Sequence, residues 1–214
     1  FIGSNLVKEL LKLNWCVDVI DDMSNGHLEL LEGLKIRILP NASFYVAFKM
    51  QENYDRSQNE VVVIQDDFAN DELCNAIVQE AYDVVFHQAA VPRVSYSVEY
   101  PAHTTDVNIS RTIKLFEACR GSVRKIVWAS SSSVYGGADV MPTPDFAKMC
   151  WDLYELDIVC LRYFNVFGPG QYGDSPYSTA VSAWCHAIKN GLECRSDGDG
   201  EQTRDMCYVD NVVH

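Results

Sequence analysis

No apolar run in this sequence approaches the roughly 20 residues needed to cross a membrane, which argues against a membrane partner. No signal-peptide pattern is visible either, in a chain that opens abruptly at Phe1. Basic residues are scarce: 17 Lys and Arg stand against 30 Asp and Glu, a net charge of −13. Nucleic acid needs a basic footprint, so that class of partner is excluded; a small phosphate remains within reach of two or three local cations. The eight cysteines, at 16, 74, 119, 150, 160, 185, 194 and 207, include no C-x-x-C pair. Without tight spacing they argue against a disulfide framework and against any metal site, and predict buried, reduced thiols in the cytosol. Internal repeats and low-complexity tracts are absent.

What the chain does have is core-forming capacity, with 48% apolar and 22% charged residues over 214 positions. Short apolar runs alternate with helical patterns. A helix is predicted in SNLVKELLKLN, with apolar residues at 6, 7, 10, 11 and 13. Strands are predicted over 16–21, 60–67, 82–90, 123–131 and 157–168. DELCNAIVQEA, capped by Asn70 or Asp71, follows the second of these, and HTTDVNISRTIKLFEACR follows the third. Near-continuous apolar strands separated by helices predict βαβ crossovers and a doubly wound parallel sheet, an α/β fold. After FGPGQYGDSP the composition turns rich in Gly, Pro, Asp and Ser, so a smaller second domain is predicted from residue 170, giving units 1–169 and 170–214. A further helix is expected in YSTAVSAWCHAIKNG.

In such a sheet, sites gather at the carboxyl ends of the strands. Phe1-Ile2-Gly3 opening an amphipathic helix fits the last part of a glycine-rich dinucleotide loop. Gly3 would then serve close helix–strand packing, with pyrophosphate at the helix N-terminus. Asp21 and Asp22 end the next strand, where an acid holds adenosine ribose hydroxyls and would repel the extra phosphate of NADP; a turn aspartate ahead of Ser24-Asn25-Gly26 is the equal alternative. Asp67 and Phe68 either face the adenine or form a surface turn. His87 is more readily structural than catalytic, and Ala89-Ala90 permit a close cofactor approach. The strand IVWA then ends in four serines, Ser130 to Ser133. They are either a Ser-rich turn or a row of hydroxyls at a strand end.

Taken in order, FIGSNL, DDMSNGH, HQAAVPRVSYSVEYP, VWASSSSVYGG, LRYFNVFGPGQ and GDGEQTRDMCYVDN resemble the extended short-chain dehydrogenase/reductase family, most of all its UDP-hexose 4-epimerases, including those acting on UDP-N-acetylglucosamine. Dehydratase relatives usually carry Thr-Asp-Glu where this chain has Ser131-Ser132-Ser133, and usually lack the Tyr-Phe-Asn of LRYFN. The resemblance implies a Rossmann domain with a smaller nucleotide-sugar domain, incomplete in this chain. It implies NAD as cofactor, a UDP-sugar substrate, and a homodimer formed through two helices of each subunit. Ser131 matches the serine on the sugar's 4-hydroxyl and Ser132 lines the same pocket. Phe1, Ile2, Gly3, Asp21, Asp22, Ser24, Asn25, Gly26, Asp67, Phe68, Ala89, Ala90, Asn108, Tyr163 and Phe164 match the cofactor site. Asn165, Thr179, Ala180 and Arg204 match the substrate site, with Arg204 on the diphosphate. By its residues alone, Arg204 is as well explained by a surface pairing with Asp205 or Asp210. Decarboxylation or dehydration of the same substrates are the related alternatives.

One departure is serious. The family runs on a Tyr-x-x-x-Lys pair some two dozen residues after the serine strand, and the reading here is that the chain lacks it. VYGGADVMPTP runs straight into DFAKMCWDLYELD, with a seam at Pro144–Asp145. Either a segment is missing there, or the protein has lost the pair and binds its ligands without catalysis. Arg111, in NISRT, stands where the family commonly has glycine, and the sequence supplies no reason for it.

Overall fold

A computed structural model describes residues 1–49, 60–79, 82–91, 94–131, 145–175, 178–196 and 198–214. The leading run forms α1 (Ile2–Lys12), burying Val7, Leu10 and Leu11; Leu13 falls past the helix end and is exposed. Then come β1 (Val17–Ile20), a 3-10 turn at Leu28–Leu31, β2 (Lys35–Leu39), α2 (Ala42–Lys49) and β3 (Glu60–Ile64). α3 (Asp71–Val78) is capped by Asn70, whose side chain accepts from the Glu72 and Leu73 N–H groups. It leads to β4 (Val84–His87) and α4 (Val94–Glu99). The single helix predicted next arrives in pieces: α5 (Pro101–Thr105), a π-helical turn at Asp106–Ser110, and α6 (Arg111–Cys119). β5 (Lys125–Ser131), α7 (Asp145–Tyr154), β6 (Ile158–Tyr163), β7 (Asn165–Phe167), α8 (Ala180–Lys189), β8 (Met206–Tyr208) and α9 (Val209–Val213) complete the order.

All strand pairs are parallel. β1, β3 and β2 pair in that order, with Ile20 level with Ile64; β4, β5 and β6 pair likewise, with His87 level with Trp128 and Ser131 level with Tyr163. The doubly wound sheet is thus present as two three-stranded halves. They share a core, because Phe86 of β4 packs into the cluster built on Val7, Val17, Val61 and Val63. β3 is buried along its whole length, as expected of a strand covered on both faces.

Several elements escaped the sequence reading, among them α2, α4, β8, α9 and β2. β2 alternates Lys35 and Arg37 with apolar residues at the sheet edge, where Arg37 reaches the buried Glu60 carboxylate at 3.1 Å. The predicted strand 157–168 breaks at Phe164, and β7 leaves the sheet to pair with β8. α9 packs on α1, so residues past 205 return to the first part of the chain. The cysteine expectation needs correction. Cys74, Cys119 and Cys150 are buried, with burial pushing the Cys119 thiol up to about 12, but Cys16, Cys185 and Cys194 are exposed. No helix among the described residues is long and apolar enough to cross a membrane.

Candidate functional site

At the carboxyl end of β1, Asp21 accepts a bond from the Met23 N–H at 2.8 Å, and the turn folds closely over its carboxylate. A Cβ on Gly26 would sit 2.6 Å from Asp21 Oδ1, so a side chain there would push the carboxylate aside. Asp22 instead builds a local turn, accepting from the Ser24 N–H at 2.9 Å and its hydroxyl at 2.6 Å; Asn25 is exposed beside it. α1 begins at Ile2 with Phe1 as its N-cap, which leaves its first N–H groups for an anion. A Cβ on Gly3 would meet no described atom within 4 Å. The loop after β7 closes on this corner, with Asn5 Nδ2 donating to the Pro169 carbonyl at 3.1 Å and the His27 and Tyr172 rings 4.6 Å apart.

Beyond β3, Asp67 Oδ1 accepts from the Ala69 N–H at 2.7 Å while its other oxygen pairs with Arg111. The Phe68 ring lies 4.8 Å from that of His87. His87 itself is 4% exposed, bonded to the Thr112 hydroxyl at 2.9 Å. Burial lowers its pKa to about 4, so it is a neutral core residue and not a catalyst. The unfolded imidazole takes a proton near pH 6.5 while the folded one resists until about pH 4. Acid therefore favours unfolding across that window. We expect stability to fall between those pH values by on the order of 3 kcal/mol and to level off below. His87→Gln should flatten the slope in pH-dependent urea unfolding; a variant as steep as the parent would contradict this.

Past β4, Ala89 and Ala90 are exposed at the strand end. Asn108, in the π turn, spends both ends of its amide on the Val91 backbone, at 2.7 and 2.9 Å, holding this strand end against the helix. Ser131 is the last residue of β5 and exposed; Ser132 and Ser133 lie outside the described residues. Level with Ser131, Tyr163 donates its hydroxyl to Gln88 Oε1 at 3.2 Å. Burial raises the Tyr163 pKa against the lowering effect of that bond, so its phenol stays protonated and is no general base. Gln88 was missed by sequence reasoning, although a polar residue directly after an apolar strand was its signal.

Phe164 is half exposed, and Asn165 Nδ2 donates to the Asp205 carbonyl at 3.0 Å. That bond and the β7–β8 pairing bring Asn165 beside Arg204, 39 residues later. Arg204 is exposed, donates to the Thr203 carbonyl at 2.7 Å, and forms no ion pair among the described residues. The alternative pairing with Asp205 or Asp210 is therefore not what holds it. Thr179, before α8, donates to Gln171 Oε1 at 3.0 Å, and Gln171 in turn donates to the Val166 carbonyl at 3.2 Å. This ties Thr179 and Ala180 to β7. Asp21, Ala89 and Ser131 thus stand at or just past the carboxyl ends of β1, β4 and β5, whereas Asn165 opens β7 and Arg204 lies just before β8.

The expectation that the chain lacks Tyr-x-x-x-Lys altogether is corrected: the spacing occurs once, at Tyr45 and Lys49 of α2. Tyr45 is fully buried in a core cluster with Leu39, Val62 and Ile64, and donates to Asp18 Oδ2 at 2.8 Å, so its hydroxyl faces the core. The Pro144 side of the seam lies outside the described residues.

Comparison with known proteins agrees with this geometry. The profile described as "NAD dependent epimerase/dehydratase family" matches residues 1–214. A UDP-glucose 4-epimerase of Mycolicibacterium smegmatis is 31% identical over 236 aligned positions, covering all of this chain and 68% of the relative. The solved UDP-N-acetylglucosamine 4-epimerase of Methanobrevibacter ruminantium, in complex with UDP-N-acetylmuramic acid, superposes with a TM-score of 0.77 at 31% identity, over 100% of this chain and 67% of that one. The Thermus thermophilus UDP-glucose 4-epimerase, solved with NAD, gives 0.74 at 26% identity, over 100% and 69%.

Proposed function

Since the chain belongs to the NAD-dependent epimerase/dehydratase family, with NAD as its cofactor, we propose that it takes part in 4-epimerisation of a UDP-hexose, glucose/galactose or the N-acetyl forms. The observation that carries this reading is Ser131 at the end of β5, level with Tyr163, with Asn165 two residues past Tyr163 and bonded to the Asp205 carbonyl next to Arg204. Asp21 over Gly26, the first turn of α1 and the open Ala89-Ala90 strand end would hold the dinucleotide. When bound, its nicotinamide supplies a reversible acceptor for hydride from C4 of the sugar. Ser131 orients the 4-hydroxyl by hydrogen bonding to it. Tyr163 and Phe164 shape the wall beside it, and residues 170–214 begin the part that holds the nucleotide, with Asn165, Thr179, Ala180 and Arg204 facing it. Exposed Trp151 and Leu153 on α7, with Ile109 near α6, support a homodimer through these helices.

A second reading has its own observation. No Tyr-x-x-x-Lys follows the serine strand, and a family member without that pair binds NAD and nucleotide sugars without turning them over. Incubation of the NAD-loaded protein with UDP-glucose, UDP-N-acetylglucosamine and dTDP-glucose tests both. A 4-epimer supports the first reading, a 4-keto-6-deoxy product makes the protein a dehydratase, and binding without product supports the second. Arg204→Ala should weaken UDP-sugar binding by about 1.5–3 kcal/mol in calorimetry and leave NAD binding unchanged, because a guanidinium on diphosphate makes charge-assisted bonds. Equal weakening of both ligands would instead give Arg204 a role in the fold.

A further inference from the structure

Arg111 occupies a corner that the sequence did not explain. In an α-helix, residues five apart point about 140° away from each other around the axis. The π turn at Asp106–Ser110 removes much of that angle, so Asp106 and Arg111 share one side of the helix. Arg111 Nε donates to Asp106 Oδ2 at 2.8 Å, its Nη2 lies 2.7 Å from the same oxygen, and Nη1 pairs with Asp67 Oδ2. A guanidinium carries five N–H donors, and these contacts use three. The other two belong to a side chain 33% exposed, on an open groove of about 470 Å³ lined by Asp67, Ala69, Ser110 and Lys114.

In the proposed reading Asp67 faces the purine of the cofactor, as the resemblance implies. A lone carboxylate only accepts hydrogen bonds, so it would welcome the 6-amino group of adenine and repel a 6-oxo group. With Arg111 fixed against it, the same corner offers an acceptor and a donor side by side. We infer that Arg111 sets the base specificity of the dinucleotide site, by presenting N–H donors beside the Asp67 carboxylate so that a 6-oxopurine is accepted as well as adenine. This rests on the placement of NAD proposed above.

Calorimetry with NAD and with nicotinamide hypoxanthine dinucleotide tests it, on the parent protein and on Arg111→Ala, Arg111→Lys and Asp21→Ala. The parent should bind the two dinucleotides with similar Kd. Arg111→Ala should lose about tenfold or more in affinity for the hypoxanthine form relative to its change for NAD, since a carbonyl would face an unpaired carboxylate. Arg111→Lys, which keeps a cationic donor, should restore part of that loss. A merely structural role would weaken both dinucleotides alike and leave their ratio unmoved, and that result overturns the inference. So does a parent that already rejects the hypoxanthine form to the same degree as Arg111→Ala. Asp21→Ala should weaken both dinucleotides equally. If it weakens neither, the placement of the ribose fails, while the ratio set by Arg111 is read independently. No binding of either dinucleotide by the parent overturns both.

Discussion

Phe116→Ala should cost the fold about 3–5 kcal/mol, a large share of the stability of a domain this size. Phe116 is 2% exposed and stands edge-on to Trp128, ring centroids 5.5 Å apart, and to His87 at 6.1 Å. One side chain from α6 thus fills the space beneath both β4 and β5. Truncation would leave a cavity lined by rings that cannot collapse into it, and would forfeit the two edge-to-face contacts. The strands it supports end in Ala89-Ala90 and Ser131, so the damage should reach the site: NAD affinity should fall along with the unfolding midpoint. Urea unfolding of Phe116→Ala beside Phe116→Leu measures this. The leucine variant keeps most of the volume and should lose much less. A loss below about 1 kcal/mol for the alanine variant would mean that the cluster repacks freely.

The apolar strands were legible because burial on both faces writes itself as a run of Val and Ile, as in β3. β2 was not, because an edge strand tolerates charge on its open side, and Lys-Ile-Arg-Ile-Leu shows no continuous run. The break between β6 and β7 was invisible for a related reason. Phe164 is apolar, and nothing in Tyr-Phe-Asn announces that the chain leaves one sheet to join another. Within the site, residues acting through their position at a strand end were readable one by one. Those acting through pairing across the fold were not. Asn108, read from the resemblance as a cofactor-site residue, bridges both backbone groups of Val91 with its amide, a pairing across the fold that its own sequence context does not show.

Arg111 is the sharpest case of that second kind. Its partners are Asp106, five residues before it in a turn that sequence patterns do not reveal, and Asp67, 44 residues away on another strand end. A lone arginine where relatives commonly carry glycine reads as an oddity. Two carboxylates converging on it turn the oddity into a charged corner at the start of α6. The acidic chain makes such corners informative: with 17 cations against 30 acids, each arginine held near a strand end stands out against a field of opposite sign.

Ser131→Ala should slow turnover by ~10²–10⁴ while leaving NAD affinity and melting temperature nearly unchanged, as expected for a hydroxyl whose bond to the sugar oxygen strengthens as charge develops on it. The side chain is exposed at the last position of β5, so little packing is lost with it. Its neighbour provides the control. Successive strand residues point to opposite faces, so Ser130, level with Arg162, projects away from the face that Ser131 shares with Tyr163. Ser130→Ala should therefore leave turnover near that of the parent. Tyr163→Phe, which removes the bond to Gln88 and keeps the ring, should fall between the two, since it loosens the wall without removing the group on the reacting oxygen. If the protein binds UDP-sugars without converting them, the same series is read in sugar affinity, and Ser131 should again lose most. Equal behaviour of Ser130→Ala and Ser131→Ala in both assays would return these hydroxyls to the role of a serine-rich turn.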